Sequence, residues 1–306
     1  MTRYLVQRLT SSGFVLFGLV TLAFFATHVI GDPVFLLVNR ELATEEDRLA
    51  VVRAGGFDRP VPEQYVRFLG NALRGDFGRS IWQNRPAALV VLERLPATFL
   101  LAFSALAFSV VSALGLAVLA TRTSRGWLAG GITALAIALS AVAPFWLAMV
   151  LVLVVAVQLG LLPSSGFGEP RHLVLPVLAL AAGPIGRLTQ VLQTQLTSEM
   201  GQPYVTVARA KGLGLGQVVR RHVLRNSAIA ALTVVGGELV VMLSVAVLVE
   251  AVFAWPGVGQ VALQAIQRRD LPVVMAAVIY TGVVVTSINL LVDLGYVALD
   301  PRVRLG

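Results

Sequence analysis

From Ala97 to Thr121 the chain carries no Asp, Glu, Lys or Arg, and Ser11 to Gly31 is equally free of charge. A helix rises about 1.5 Å per residue, so about 20 apolar residues cross a hydrocarbon layer about 30 Å thick. Runs of this length exclude a water-soluble fold, and the composition agrees: 57% hydrophobic, 13% charged, mean hydropathy +0.82. Gly126 to Gly168 is also charge-free but too long for one crossing. Its Leu161-Leu162-Pro163-Ser164-Ser165-Gly166 end reads as a turn, leaving a third span near 129–159. Leu173–Leu196 is interrupted by Arg187, Ile229–Val252 by Glu238 and Glu250, and Leu271–Leu299 by Asp293. The expectation is an all-α polytopic membrane protein with six transmembrane helices.

Short loops set the orientation, because cytoplasmic loops carry an excess of Lys and Arg. One side holds eleven basic residues: Arg3, Arg8, Arg122, Arg125, Arg209, Lys211, Arg220, Arg221, Arg225, Arg302 and Arg304. The short loops of the other side hold three, Arg171, Arg268 and Arg269. Both termini are therefore expected in the cytoplasm, the chain lying in the cell membrane in contact with lipid. The basic start of the first span is that of a retained anchor, since no A-x-A cleavage pattern follows it.

The chain divides into residues 1–31, the first span; 32–96, an extracytoplasmic insert; and 97–306, a core of five spans. The insert has nine Arg against nine Asp and Glu. Glu41–Ala54 and Pro62–Leu73 have helical composition, separated by Gly55-Gly56 and Pro60. The formal net charge of +8 sits mostly between apolar runs, where topology accounts for it, and does not argue for nucleic acid.

Most catalytic chemistry has no place here. With no cysteine there is no thiolate ligand, disulfide or thiol nucleophile. The single lysine, Lys211, lies between Ala210 and Gly212, so there is no phosphate-cradling Gly-Lys-Ser/Thr loop and no ATPase site. His28, His172 and His222 lie in different segments without metal-ligand spacing, and a structural role is expected for each. No enzyme and no resident metal or cofactor is expected.

Residues 199–226 form a basic loop far longer than a bare connection between two spans needs. Tyr204–Lys211 suits a short helix, with Pro203 fit for its first position and Gly212 for a left-handed close. Gln217–Asn226 suits a second helix, with Val218, Val219, His222 and Val223 on one face. The Arg residues could instead face anionic headgroups, but a lipid-facing linker does not require a break and a restart.

At these residues the chain resembles the permeases of ABC importers, whose EAA loop follows a pattern of Glu-Ala-Ala, three residues, Gly, nine residues, Ile-x-Leu-Pro. Ala208, Gly212 and Leu224 match; Thr206, Val207, His222 and Arg225 depart from it. The form Tyr204-x-x-x-Ala208-Arg209-Ala210-Lys211-Gly212-Leu213 with Arg221-His222-x-Leu224-Arg225-Asn226 is similar to the variant of the dipeptide/oligopeptide branch. Further stretches similar to that branch are Gly75–Ser80, Arg94–Thr98, Gln158–Gly166, Glu250–Gly259 and Asp293 through Arg302. The resemblance implies half of a heterodimeric pore importing di- or oligopeptides. It implies a second related permease subunit, one or two ATPase subunits holding ATP and Mg and docked on the EAA loop, and an extracytoplasmic peptide-binding protein. ATPase coupling would fall to Tyr204, Ala208, Arg209, Ala210, Lys211, Gly212, Leu213, Arg221, His222 and Leu224.

Ionisable groups inside spans are costly and tend to face a bundle interior or water. Glu250 and Asp293 lie near span ends, where capping is the simpler role, and Arg187 lies close enough to the cytoplasmic end to reach the interface. Glu238, after Gly236-Gly237, is the candidate pathway residue. Pro144 and Pro184 can kink their helices. Phe253–Pro272, with Trp255, Pro256 and Gly257, reads either as a segment tucked back as a gate or as an interfacial helix anchored by Trp255. A same-branch permease for nickel or another small solute is the alternative within the class. An ion-coupled secondary transporter is the alternative outside it, and would require an inverted repeat with buried acidic pairs that the sequence does not display.

Overall fold

A computed structural model of the chain describes residues 2–30, 59–123, 125–211, 217 and 224–299. Among these residues the regular structure is helical: α1 (Thr2–Ile30), α2 (Val61–Leu73), α3 (Ala87–Leu92), α4 (Leu95–Arg122), α5 (Gly126–Ala141), α6 (Pro144–Leu151), a π-helical stretch (Val152–Gln158), α7 (Pro170–Met200), α8 (Pro203–Ala210), α9 (Leu224–Val252), α10 (Val258–Gln267) and α11 (Leu271–Leu299). Five helices are long and apolar enough to cross a membrane, and a sixth span results if the bent pair of α5 with residues 144–158 counts as one. The all-α polytopic fold is thus the one the apolar runs predict. The expected helix at 41–54 lies outside the described residues.

The third span departs from expectation. It does not run as one helix over 129–159: α5 stops at Ala141, and the chain turns by 100° before α6. Pro144 is the cause. The residue before a proline is excluded from helical ψ, and Val142 and Ala143 stand extended at ψ 129° and 127°. Pro144 then opens α6 as its first residue, where the missing N–H costs nothing. Pro176 and Pro184, by contrast, are taken into α7 without ending it.

The chain forms two compact units. One comprises 1–98 and 256–290, the other 99–255 and 291–306. In the first, α2 lies against α1: Tyr65 OH shares a 2.7 Å hydrogen bond with Thr21, and the Phe24 ring meets those of Tyr65 and Phe68 at 5.2 and 5.4 Å. α1 approaches α11 at Gly282, where a Cβ would come 2.1 Å from the end of the Leu19 side chain. The core of this unit joins Phe77, Val90 and Val91 to Val258, Val261 and Ala265 of α10 and to Val273, Ala276 and Ile279 of α11. Outward, α1 exposes Phe14 and Leu22, as a lipid-facing helix does.

In the second unit α7 is the central element, packed by α5, α6 and α9. Its approach to α5 is closest at Gly186, where a Cβ would stand 2.3 Å from the Ala136 carbonyl oxygen and 2.5 Å from the Ser140 nitrogen. Small residues at such crossings let membrane helices pack backbone to backbone. Ser109 of α4 adds a link, donating to the carbonyls of Ala105 at 2.7 Å and Ala181 at 3.3 Å. α9 ends without a glycine: Ala254 takes φ 48°, and the Trp255 N–H donates back to the Glu250 carbonyl at 2.9 Å.

Candidate functional site

α7 carries a polar stripe on one face. Arg187, Gln190, Thr194 and Thr197 follow one another at three- and four-residue steps, with Gly183 one step before them and Gln193 and Ser198 alongside, while Thr189, Gln195 and Glu199 lie off the stripe. At the upper end of this stripe Arg187 pairs with Glu238 of α9. Its Nε donates to Oε1 at 2.6 Å and its second guanidinium nitrogen to Oε2 at 2.7 Å, so the pair is bidentate. Glu238 is 6% exposed, whereas the Arg187 side chain is 41% exposed. Gly183 makes room: a Cβ there would lie 3.2 Å from an Arg187 guanidinium nitrogen.

Reasoning along the sequence weighs Arg187 and Glu238 separately and misses that they are partners. A signal exists: Arg187 is the one charge in its apolar span and Glu238 the charge nearest the middle of another, of opposite sign, and charges in a bundle seek one another. Glu250 is fully buried near the end of α9, and Asp293 is partly buried in α11.

Below the Arg187–Glu238 pair, Thr133 of α5 faces Gln193, whose Nε2 donates to the Thr133 hydroxyl at 3.1 Å. Gln190 donates to the Gly186 carbonyl at 3.2 Å. Thr133, Gln190, Gln193, Thr194, Thr197 and Ser198 line a cavity of about 600 Å³.

Past the C-terminal end of α7 the chain turns at Gly201 and restarts at Pro203 as α8. The short helix is pinned on one side. Val205 is 3% exposed and joins Leu188, Leu192 and Leu196 of α7 and Ala113 and Ala117 of α4 in one cluster. Tyr204 packs beside it and donates its hydroxyl proton to Glu199 at 2.5 Å. Among the described residues the other side is exposed: Thr206, Val207, Ala210 and Lys211. Tyr204, Ala210 and Lys211 of the expected coupling residues are thus located. Only the backbone of Ala208, Arg209 and Leu224 is described, and Gly212, Leu213, Arg221 and His222 lie outside the described residues. Val205, which holds the helix down, is missed by motif reasoning, although it is the apolar residue directly after the Tyr204 anchor.

Trp255 is 2% exposed, its ring edge-on to Phe167 at 4.9 Å. A buried indole does not present itself to a membrane interface, so the anchor reading loses its residue. Gly257 caps α10 in an extended conformation, and Pro256 directly precedes it. In the first unit the Val258 N–H donates to the Thr98 hydroxyl at 2.9 Å. In that same unit Gly75–Ser80 forms a tight loop in which Gly75 and Gly78 take φ +73° and +84°, conformations open to glycine. The loop is moored on Asp270, which accepts from the Ser80 hydroxyl at 2.5 Å and from the Ile81 and Trp82 N–H groups at 3.3 and 3.4 Å.

Comparison with known proteins identifies the family of the chain. Residues 113–305 match the family described as binding-protein-dependent transport system inner membrane component. The oligopeptide transport system permease protein AppB of Bacillus subtilis is 30% identical over 99% of this chain and 100% of its own. The dipeptide transport system permease protein DppB of Lactococcus lactis is 32% identical over the whole of both chains. A crystal structure described as an amino acid ABC transporter with histidines shares the fold, with a TM-score of 0.53 at 19% identity over 68% of this chain and 92% of that one. The chain belongs to the binding-protein-dependent transport system inner membrane components, the multi-pass permease family of ABC transporters.

Proposed function

We propose that this chain is the permease subunit of an ATP-driven importer of di- and oligopeptides and forms half of a heterodimeric pore with a second related permease. One or two ATPase subunits hold ATP and Mg and dock on residues 199–226; an extracytoplasmic peptide-binding protein delivers the solute, and residues 32–96 receive that binding protein. Both termini lie in the cytoplasm. The peptide substrate class is supported by the names of the full-length relatives from Bacillus and Lactococcus.

The observation that carries the coupling role is the asymmetry of α8. Its Val205 side is built into the α4–α7 core, while Val207 and Lys211 are exposed among the described residues on the other side. A helix fixed to the pore on one face and open on the other transmits a push on the open face to α7 without absorbing it. Val207 is 55% exposed, and seating against a partner would take this apolar side chain out of water. Trp255, Pro256 and Gly257 act as a gate segment, and Glu238 lines the pathway through its partner Arg187.

The test is Val207→Asp in the full complex. The expected result is loss of ATPase subunits on co-purification and loss of trialanine uptake, with membrane insertion and thermal stability of the permease unchanged. Normal co-purification and uptake would overturn the docking role. A wild-type complex that imports no short peptide would overturn the substrate class.

A further inference from the structure

The cavity beside α7 has a chemistry of its own. Six side chains line it, all uncharged and all able to hydrogen-bond. Threonines can satisfy their protons within their own helices, but the two carboxamides and the remaining hydroxyl lone pairs are better matched to water or solute than to hydrocarbon. The lining is also biased. Thr194 donates its hydroxyl proton to the Gln190 carbonyl at 2.9 Å, and Thr197 donates to the Gln193 carbonyl at 2.8 Å. Thr133 donates to the Ala129 carbonyl at 3.0 Å and accepts from Gln193. The Gln190 amide nitrogen donates to the Gly186 carbonyl at 3.2 Å and lies 3.4 Å from the Ser140 hydroxyl, leaving its carboxamide oxygen as an acceptor. A hydroxyl has one proton and two lone pairs. With their protons turned back into the helix, Thr194 and Thr197 likewise offer acceptors to the cavity, while the Gln193 amide keeps one N–H beyond its bond to Thr133.

We infer that this cavity is a site in which the permease itself holds the main chain of a short peptide, accepting hydrogen bonds from its N–H groups and terminal ammonium at Thr194, Thr197 and the carboxamide oxygen of Gln190. The inference rests on the peptide-importer reading and adds a location and a recognition chemistry to it. An uncharged wall with acceptors at Thr194, Thr197 and Gln190 takes any peptide backbone and reads no side-chain charge. At those three groups a solute whose only polar group is a carboxylate would set acceptors against acceptors. The volume of about 600 Å³ is that of a pocket for a small organic solute.

The chain has no cysteine, so one introduced thiol is its sole label. Thr194→Cys, Thr197→Cys and, as a buried control, Leu192→Cys are prepared in the complete importer in lipid nanodiscs and treated with a membrane-impermeant cationic methanethiosulfonate reagent. The expected result is modification at 194 and 197 but not at 192, slowed about tenfold by trialanine at about nine times its Kd through simple occupancy, and unaffected by succinate. Failure of both thiols to react would place a helix or lipid against this face and overturn the site. So would a reaction that trialanine leaves unchanged, or one that succinate slows equally. Trialanine uptake by the unmodified importer is measured in parallel: normal uptake without protection overturns this inference alone, and absent uptake overturns the peptide reading together with it.

Discussion

Arg187 and Glu238 sit on neighbouring helices and meet through two hydrogen bonds of 2.6 and 2.7 Å, with the carboxylate buried and the guanidinium half open. Fork-to-carboxylate geometry makes both bonds short and directional. Removing the arginine alone leaves a buried carboxylate without its partner, a cost of about 3 kcal/mol or more. Arg187→Leu is therefore expected to lower the thermal midpoint of the solubilised permease sharply. The double variant Arg187→Leu/Glu238→Leu is expected to recover most of that loss, since an apolar pair of similar size is often neutral. If the double variant is as unstable as the single one, the pair is not acting as a unit. If it is stable yet transport-dead, Glu238 serves the pathway and not the fold.

Glycines on the same helices separate into those that allow a contact and those that do not. At Gly186 a Cβ would collide with α5 backbone, and at Gly236 it would come 2.6 Å from Val292, but at Gly237 nothing lies within 4 Å. Gly186→Val is expected to destabilise by about 2 kcal/mol or more through overpacking. Gly237→Ala is expected to be stabilising by up to about 1 kcal/mol, the ordinary helix gain. Thermal unfolding of the two variants side by side decides it; equal effects would remove the packing explanation.

The apolar runs made the spans legible because a bilayer imposes a length and a hydropathy on any crossing. Leu271–Leu299 matches α11 end for end, while α1 and α7 extend beyond the runs that mark them, because helices continue past the hydrocarbon into charged residues. Pro144 and Pro184 were both legible as possible kinks, but not that the first turns the chain by 100°. Pro184 sits in an equally apolar setting and is absorbed, and which of the two occurs depends on the helices packed around the proline. Pairing was hidden for a similar reason. Ser80 and Asp270 are 190 residues apart, and nothing local to either predicts the other. The α8 helix was legible from Pro203 and the residues after it, but its anchoring side was not, because burial of Val205 depends on α4 and α7.

Val205 gives a test of that anchoring. Truncation to alanine removes two buried methyl groups, worth about 1.6 kcal/mol. The loss falls on a helix of eight residues with one buried side, so it should appear as local opening more than as global unfolding. Val205→Ala is expected to speed amide hydrogen exchange across 204–210 about tenfold while leaving α7 protection unchanged. ATPase activity should uncouple from uptake in the same variant, because a loosened handle no longer moves the pore. Unchanged exchange in α8 would show that Tyr204 and its bond to Glu199 suffice to hold it.

Asp270 anchors the loop that follows α2, and the anchoring rests on its charge. The carboxylate is 3% exposed and collects the Ser80 hydroxyl and the Ile81 and Trp82 N–H groups, while Ser80 itself accepts from the Gln83 N–H at 3.0 Å. Arg268 closes the arrangement by lying over the Trp82 ring at 4.2 Å. Asp270→Asn keeps the shape but turns an NH₂ group toward a cluster of donors, and hydrogen bonds to a charged group are worth about 1.5–3 kcal/mol. A loss of that size raises the open population of the loop at least about tenfold when opening and closing are fast. Arg79 is exposed in this loop and, followed by Ser80, provides a trypsin site, whereas Arg85 is shielded by the Pro86 that follows it. Cleavage after Arg79 is expected to accelerate about tenfold in Asp270→Asn and less in Ser80→Ala, which keeps the carboxylate for the two N–H groups. Equal cleavage rates in the wild type and Asp270→Asn would mean that Gly75, Gly78 and the Arg79–Pro86 bridge hold the loop without it.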